Sequence, residues 1–127
     1  MDYHLESVHK DLYINGNWRA ASDGARFDVL DPASEEVLAS VADATVEDAL
    51  DAVAAAHAAG PGWAATAPRE RAEVLRRAFD LLIQHKEEFA RLITLESGKA
   101  LTEGRAEAAY AAEFLRWFSE EAVRALG

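Results

Sequence analysis

The spacing of apolar residues changes character once along the chain, and the change divides a strand-forming front from a helical remainder. In Leu12-Tyr13-Ile14-Asn15-Gly16-Asn17-Trp18 an Asn-Gly pair sits between apolar residues. Both turn residues tolerate the positive φ angles of a type I′ turn, so a β-hairpin is predicted. A second strand pair is predicted at Phe27-Asp28-Val29-Leu30 and Glu36-Val37-Leu38-Ala39-Ser40-Val41. Between them lies Asp31-Pro32-Ala33-Ser34, where Pro32 fixes its own φ and has no amide to donate to a ladder. Short antiparallel β-structure is therefore expected in the first third.

From Thr45 onward the period becomes helical. Thr45-Val46-Glu47-Asp48 resembles a capping box, with the Thr45 hydroxyl placed to accept from the Asp48 amide. Val46, Ala49, Leu50, Val53, Ala54 and Ala58 then recur three and four apart. Gly60-Pro61-Gly62 is predicted to stop this helix, with Trp63 covering its end. Pro68 opens a second helix, whose stripe runs Ala72, Leu75, Phe79, Leu82, Phe89, Leu92 and Ile93 until Gly98. A third is predicted from about Leu101 to Leu126, with Tyr110, Phe114, Trp117 and Phe118 on one face. The last two helices are expected to pack as an antiparallel or crossed pair.

No internal repeat, low-complexity tract or flexible linker interrupts the chain, so residues 1–127 are predicted to form one structural unit. With 127 residues, half of them hydrophobic, it can bury a core. A formal charge of -10 opposes binding to nucleic acid or anionic lipid, which rely on Lys and Arg clusters. No stretch reaches the roughly 20 apolar residues that span a bilayer, and Met1-Asp2-Tyr3-His4-Leu5-Glu6 lacks the basic and apolar segments of a signal peptide. A cytoplasmic location is expected. The chain contains no cysteine, which removes disulfides, thiolate metal sites and a cysteine nucleophile from residues 1–127.

Few residues offer chemistry. Ser97-Gly98-Lys99 has the end of a phosphate loop, but Ile93 and Ala100 stand where the motif needs Gly and Ser or Thr. No Gly-x-Gly-x-x-Gly follows a strand, so no dinucleotide site is visible. His4, His9, His57 and His85 are scattered without a ligand partner at useful spacing and read as surface or packing histidines. Pairing any two of the many carboxylates for acid and base work would be arbitrary. The aromatic stripe of the third helix reads first as packing, within the core or between subunits, and second as the wall of a substrate channel.

One ordered series of motifs narrows the function. It runs Leu12-Tyr13-Ile14-Asn15-Gly16-Asn17-Trp18, Asp31-Pro32-Ala33 with Glu36-Val37, Pro61-Gly62-Trp63, Pro68-x-x-Arg71, and Thr94-Leu95-Glu96-Ser97-Gly98-Lys99. As a set this resembles the amino-terminal region of the aldehyde dehydrogenase superfamily, covering nearly everything from Leu12 onward. The later run from Ala106 to Ala122, Ala-Glu-Ala-Ala-Tyr-Ala-Ala-Glu-Phe-Leu-Arg-Trp-Phe-Ser-Glu-Glu-Ala, is similar to the succinate-semialdehyde dehydrogenase branch.

The resemblance implies a much longer α/β enzyme, with a Rossmann-type cofactor domain, a catalytic domain and a small oligomerisation arm. The matched part would consist of β-hairpins followed by about three helices. The implied reaction oxidises an aldehyde, here succinate semialdehyde, to the acid with NAD or NADP. A cysteine thiolate attacks the aldehyde, amides hold the oxyanion, hydride passes to the nicotinamide, and a glutamate activates water. The resemblance places all of these residues beyond Gly127. This chain is expected to hold no catalytic or cofactor-binding residue and to bind no cofactor alone.

Two sets of positions carry over. Backbone carbonyls near Val29 and Leu30, with the carboxylate of Glu96, match a monovalent cation site of some relatives, although Asp is common there in place of Glu. Tyr110, Phe114 and Trp117 match the helix that borders the aldehyde channel. A different reading is a stand-alone helical module for self-association or interaction. Under both, apolar faces meant for the cofactor domain stay open, so self-association is expected.

Overall fold

The computed structural model describes Leu5 and residues 8–124. The rest of the leading stretch, His4 included, and the end of the predicted third helix lie outside the described residues. Contacts group the chain into two compact units, 1–64 and 65–127.

In the first unit, β1 (Leu12–Ile14) and β2 (Asn17–Arg19) pair antiparallel, with Tyr13 opposite Trp18 and Ile14 opposite Asn17. Asn15 and Gly16 take φ of 51° and 78°, the two positive angles a type I′ turn demands. Trp18 contacts two rings: that of His9 stacks on it at 4.1 Å and that of Tyr13 lies tilted at 4.9 Å. Next, β3 (Arg26–Leu30) pairs antiparallel with β4 (Val37–Ala42), the register slipping between Val29 and Leu30. The Asp31 side chain accepts from the Ala33 amide at 2.8 Å, which shapes the turn around Pro32. Both hairpins lie where the sequence predicts them, to within a residue.

Helix α1 (Val46–Ala65) begins at the predicted capping box: the Asp48 amide donates to the Thr45 hydroxyl at 3.2 Å, and the Thr45 amide donates to the Asp48 carboxylate at 2.9 Å. Its end differs from expectation. The helix runs through Gly60-Pro61-Gly62, and Trp63 sits on its exposed side instead of covering its end. Glycine stops a helix when it turns left-handed, and neither Gly60 nor Gly62 does so. Pro61 removes one hydrogen bond near an exposed end, which the helix tolerates. The predicted apolar stripe is also not the packed one. Val46, Leu50 and Val53 are exposed, whereas Asp48 is buried and Ala55 half-buried.

The second unit is three helices: α2 (Pro68–Gln84), α3 (Lys86–Ser97) and α4 (Leu101–Glu121). Pro68 stands in the first turn of α2, and Gly98, at φ 71°, ends α3 as predicted. The predicted single helix from Pro68 to Ser97 is instead broken at His85, so the chain has four helices and not three. Unbroken, those 30 residues would extend about 45 Å, against about 31 Å for α4. The turn at His85 allows both α2 and α3 to pack on α4.

The fully buried apolar residues of this unit are Ala72, Ala90, Leu95, Ala108 and Ala112, all but one of them alanine. Gly104 marks the closest approach of α3 and α4, since a Cβ there would lie 2.6 Å from the Ala90 carbonyl oxygen. Thr94 Oγ1 is buried beside it without a hydrogen-bond partner. Across the contact, Glu87 of α3 accepts from Arg105 of α4 in a two-pronged pair at 2.9 Å. No helix among the described residues is long and apolar enough to cross a membrane.

Candidate functional site: the aromatic face of α4

Helix α4 is alanine-rich, and ion pairs three and four residues apart tie its C-terminal half, Arg116 with Glu113 and Glu120, and Arg124 just past its end with Glu121. At 100° per residue, Gly104, Ala108, Ala112, Leu115 and Ser119 fall on one side, and Tyr110, Phe114, Trp117 and Phe118 fall on the other. The small side faces inward. The four aromatics are 66%, 49%, 56% and 54% exposed. Reading this stripe as the core of the chain is therefore corrected. Helix axes approach most closely where side chains are small, so the alanine side takes the packed position and the rings are turned out.

The aromatic side chains sequence analysis singled out do come together. Tyr110, Phe114 and Trp117, joined by Phe118 and Glu113, line an open concavity of about 330 Å³. Tyr110 and Phe114 meet edge to face at 5.0 Å and 82°, a favourable quadrupolar arrangement. Hydrogen bonding from Arg116 holds the Glu113 carboxyl below its ordinary value. An ionised carboxylate already tied to a guanidinium is a poor base, so Glu113 adds no ready base to the mostly apolar wall. Phe118 was readable as the last member of the same stripe. Glu113 carried no distinguishing signal.

A second concavity, about 350 Å³, lies between the β1–β2 turn at Tyr13 to Gly16 and Ala52, Ala55, Ala56 and Ala59 of α1. Tyr13 is its one titratable lining residue. Close by in sequence is the polar cluster that periodicity missed. Asp48, 1% exposed, accepts from Arg19 at 2.6 Å, from the Ser22 amide at 3.1 Å and from the Thr45 hydroxyl at 3.0 Å. The Thr45 and Ser22 amides, reinforced by Arg19, hold its carboxyl well below the usual range despite desolvation.

The proposed cation positions are split. Val29 and Leu30 adjoin the register slip of β3 in the first unit, and exposed Glu96 lies near the end of α3 in the second. No group of three or more His, Cys, Asp or Glu suited to a metal occurs among the described residues. A dinucleotide does not fit the one direct strand-to-helix turn described, from β4 to α1. Asp43, Ala44 and Thr45 supply no glycine there, and Asp43, Glu47 and Asp48 would repel a pyrophosphate.

Comparison with known proteins finds the same fold. The sequence pattern of the Aldehyde dehydrogenase family matches residues 18–127. A succinate-semialdehyde dehydrogenase of Paenarthrobacter nicotinovorans is 63% identical over 91 residues, 72% of this chain and 20% of the relative. A glutarate-semialdehyde dehydrogenase of Pseudomonas aeruginosa is 44% identical over 118 residues, 93% of this chain and 24% of the relative. The crystal structure of succinate-semialdehyde dehydrogenase from Burkholderia pseudomallei superposes with a TM-score of 0.87 at 44% identity, covering 91% of this chain and 24% of that one. The chain thus spans about a quarter or less of the length of these proteins.

Proposed function

Because the chain belongs to the aldehyde dehydrogenase family, we propose that it forms the amino-terminal part of an NAD- or NADP-linked enzyme that oxidises a semialdehyde bearing a distal carboxylate. Succinate semialdehyde is the proposed substrate. The observation that carries this reading is the 63% identity to a succinate-semialdehyde dehydrogenase. The glutarate-semialdehyde relative is of the same substrate class, one methylene longer. In this reading Tyr110, Phe114 and Trp117 form one wall of the aldehyde channel, where their apolar rings would hold the substrate's methylene chain.

Residues 1–127 contain no cysteine, so the thiolate step has no nucleophile here, and the chain alone is proposed to be inactive. The pure 127-residue protein, given succinate semialdehyde and either nicotinamide cofactor, is expected to show no cofactor reduction; measurable turnover would overturn the reading. A chimera tests the positive half. With this chain in place of the matching quarter of the Burkholderia pseudomallei enzyme, oxidation of succinate semialdehyde is expected. Within that chimera Phe114→Ala should raise the aldehyde KM severalfold without altering the cofactor KM. A folded, cofactor-binding chimera that does not oxidise the aldehyde would count against it. The exposed aromatic face also favours an interaction role.

A further inference from the structure

Asn15 and Asn17 are the chain's asparagines, and only Asn15 precedes a glycine. An Asn-Gly pair can cyclise: the glycine amide nitrogen attacks the asparagine Cγ, the bond from Cγ to the side-chain nitrogen breaks, and ammonia leaves. Water then opens the cyclic imide at either carbonyl, giving Asp or its β-linked isomer, so water is taken up and ammonia released. Asn15 and Gly16 are both exposed, and the space where a Cβ of Gly16 would stand is empty to 4 Å. The β1–β2 ladder ends at the Ile14–Asn17 pair, which leaves the Gly16 amide outside it. Asn17 differs on each count. It stands in the ladder before bulky Trp18, and its side-chain amide donates to the Asn15 carbonyl at 3.0 Å.

We propose that Asn15–Gly16 is a modification site gated by its own hairpin, an asparagine that deamidates while the β1–β2 pair is open and is protected while it is closed. In left-handed backbone Cβ stands nearly anti to the next residue's nitrogen across the Cα–C bond, so at φ 51° the Asn15 side chain points away from the Gly16 nitrogen. Ring closure needs the turn to open. With three residues per strand, and the Tyr13–Trp18 ring contact as a cross-strand clasp, opening costs little. Asp23–Gly24 lacks this freedom, because the Gly24 amide donates to the Ala21 carbonyl at 2.9 Å and the Ala25 amide donates to the Asp23 carboxylate at 2.8 Å. The two products then diverge. Asp tolerates left-handed backbone, so that turn reforms with one more negative charge. The β-linked isomer adds a backbone methylene that a two-residue type I′ loop does not accommodate, and the wall that Tyr13 to Gly16 give to the concavity against α1 is lost. This one-way change is independent of the aldehyde reading.

The whole chain, held at mildly alkaline pH and then cut with trypsin, releases residues 11–19 for mass spectrometry. The mass gain of an amide-to-acid exchange is expected at Asn15 and not at Asn17, at a rate at least about tenfold below that of the urea-unfolded chain. Tyr13→Ala removes the cross-strand clasp and should raise the folded rate about two- to fivefold. Gly104→Ala, in the other unit, should leave it unchanged, and Asn15→Gly, which keeps the positive φ, should abolish the mass gain. Circular dichroism verifies folding. If Tyr13→Ala unfolds, the ratio of folded to unfolded rates, which needs no variant, decides. A folded chain that gains no mass at Asn15 overturns the proposal, as does one modified as fast as the unfolded chain. Equal acceleration by Gly104→Ala and Tyr13→Ala, or none by a folded Tyr13→Ala, overturns it too, since the hairpin would then not be the gate.

Discussion

At Asp48 a single carboxylate gathers the end of β2, the segment after it and the start of α1. Half of this was readable, since Thr45-x-x-Asp48 announces a cap; Arg19, 29 positions earlier, was not, because nothing in local spacing couples a strand-end cation to a helix cap. The expected cost of Asp48→Asn follows from donor counting: every neighbour donates, and an amide nitrogen turned toward the Thr45 or Ser22 amide opposes another donor. Thermal unfolding followed by circular dichroism should show the midpoint lowered by several degrees. The acid limb carries the same signature. A carboxyl whose folded pKa is depressed stabilises fully above its ordinary value of 3.8 and loses that contribution as pH falls through the folded value. The wild-type midpoint should therefore drop as pH falls below about 4, and Asp48→Asn should flatten that part of the profile. A variant with wild-type stability and an unchanged acid limb would contradict this account.

Helices obey a rule that single-residue propensity does not state: the same substitution changes sign with its surroundings. Alanine is intrinsically the better helix former, and nothing lies within 4 Å of a Cβ added at Gly62 of α1, so Gly62→Ala should stabilise by about 0.5–1 kcal/mol. At Gly104 the new methyl would meet the Ala90 carbonyl oxygen at 2.6 Å and Thr94 Oγ1 at 3.2 Å. Overpacking of that kind costs about 1–3 kcal/mol and outweighs the propensity gain, so Gly104→Ala should destabilise by about 1–2 kcal/mol. Urea denaturation of both variants reads the two signs directly, and equal effects would refute the close α3–α4 approach. Helix starts were legible because capping residues and Pro68 act locally. The run of α1 through Pro61 and the break at His85 were not, since both depend on what the helix packs against or is spared from packing against.

For the chain as a whole, the order of its motifs said more than its periodicity. The motifs pointed to the aldehyde dehydrogenase family and to hairpins followed by helices, and both hold. Periodicity misled where it equated apolar stripes with interior: Val46, Leu50 and Val53 on α1 and the four rings of α4 are outside, and alanines are inside. Amphipathic spacing identifies a face that seeks cover without identifying what covers it. The chain matches about a quarter or less of its relatives' length, and a face whose cover need not lie within residues 1–127 cannot be sorted by pattern alone. A core whose fully buried apolar residues are nearly all alanine has a calorimetric consequence. Little nonpolar area is left to hydrate on melting, so both the heat-capacity increment and the urea slope should be smaller than 127 residues ordinarily give. Gaining a partner over the outward-facing rings would then register as a steeper slope, making cooperativity itself the gauge of how much of the polypeptide is covered.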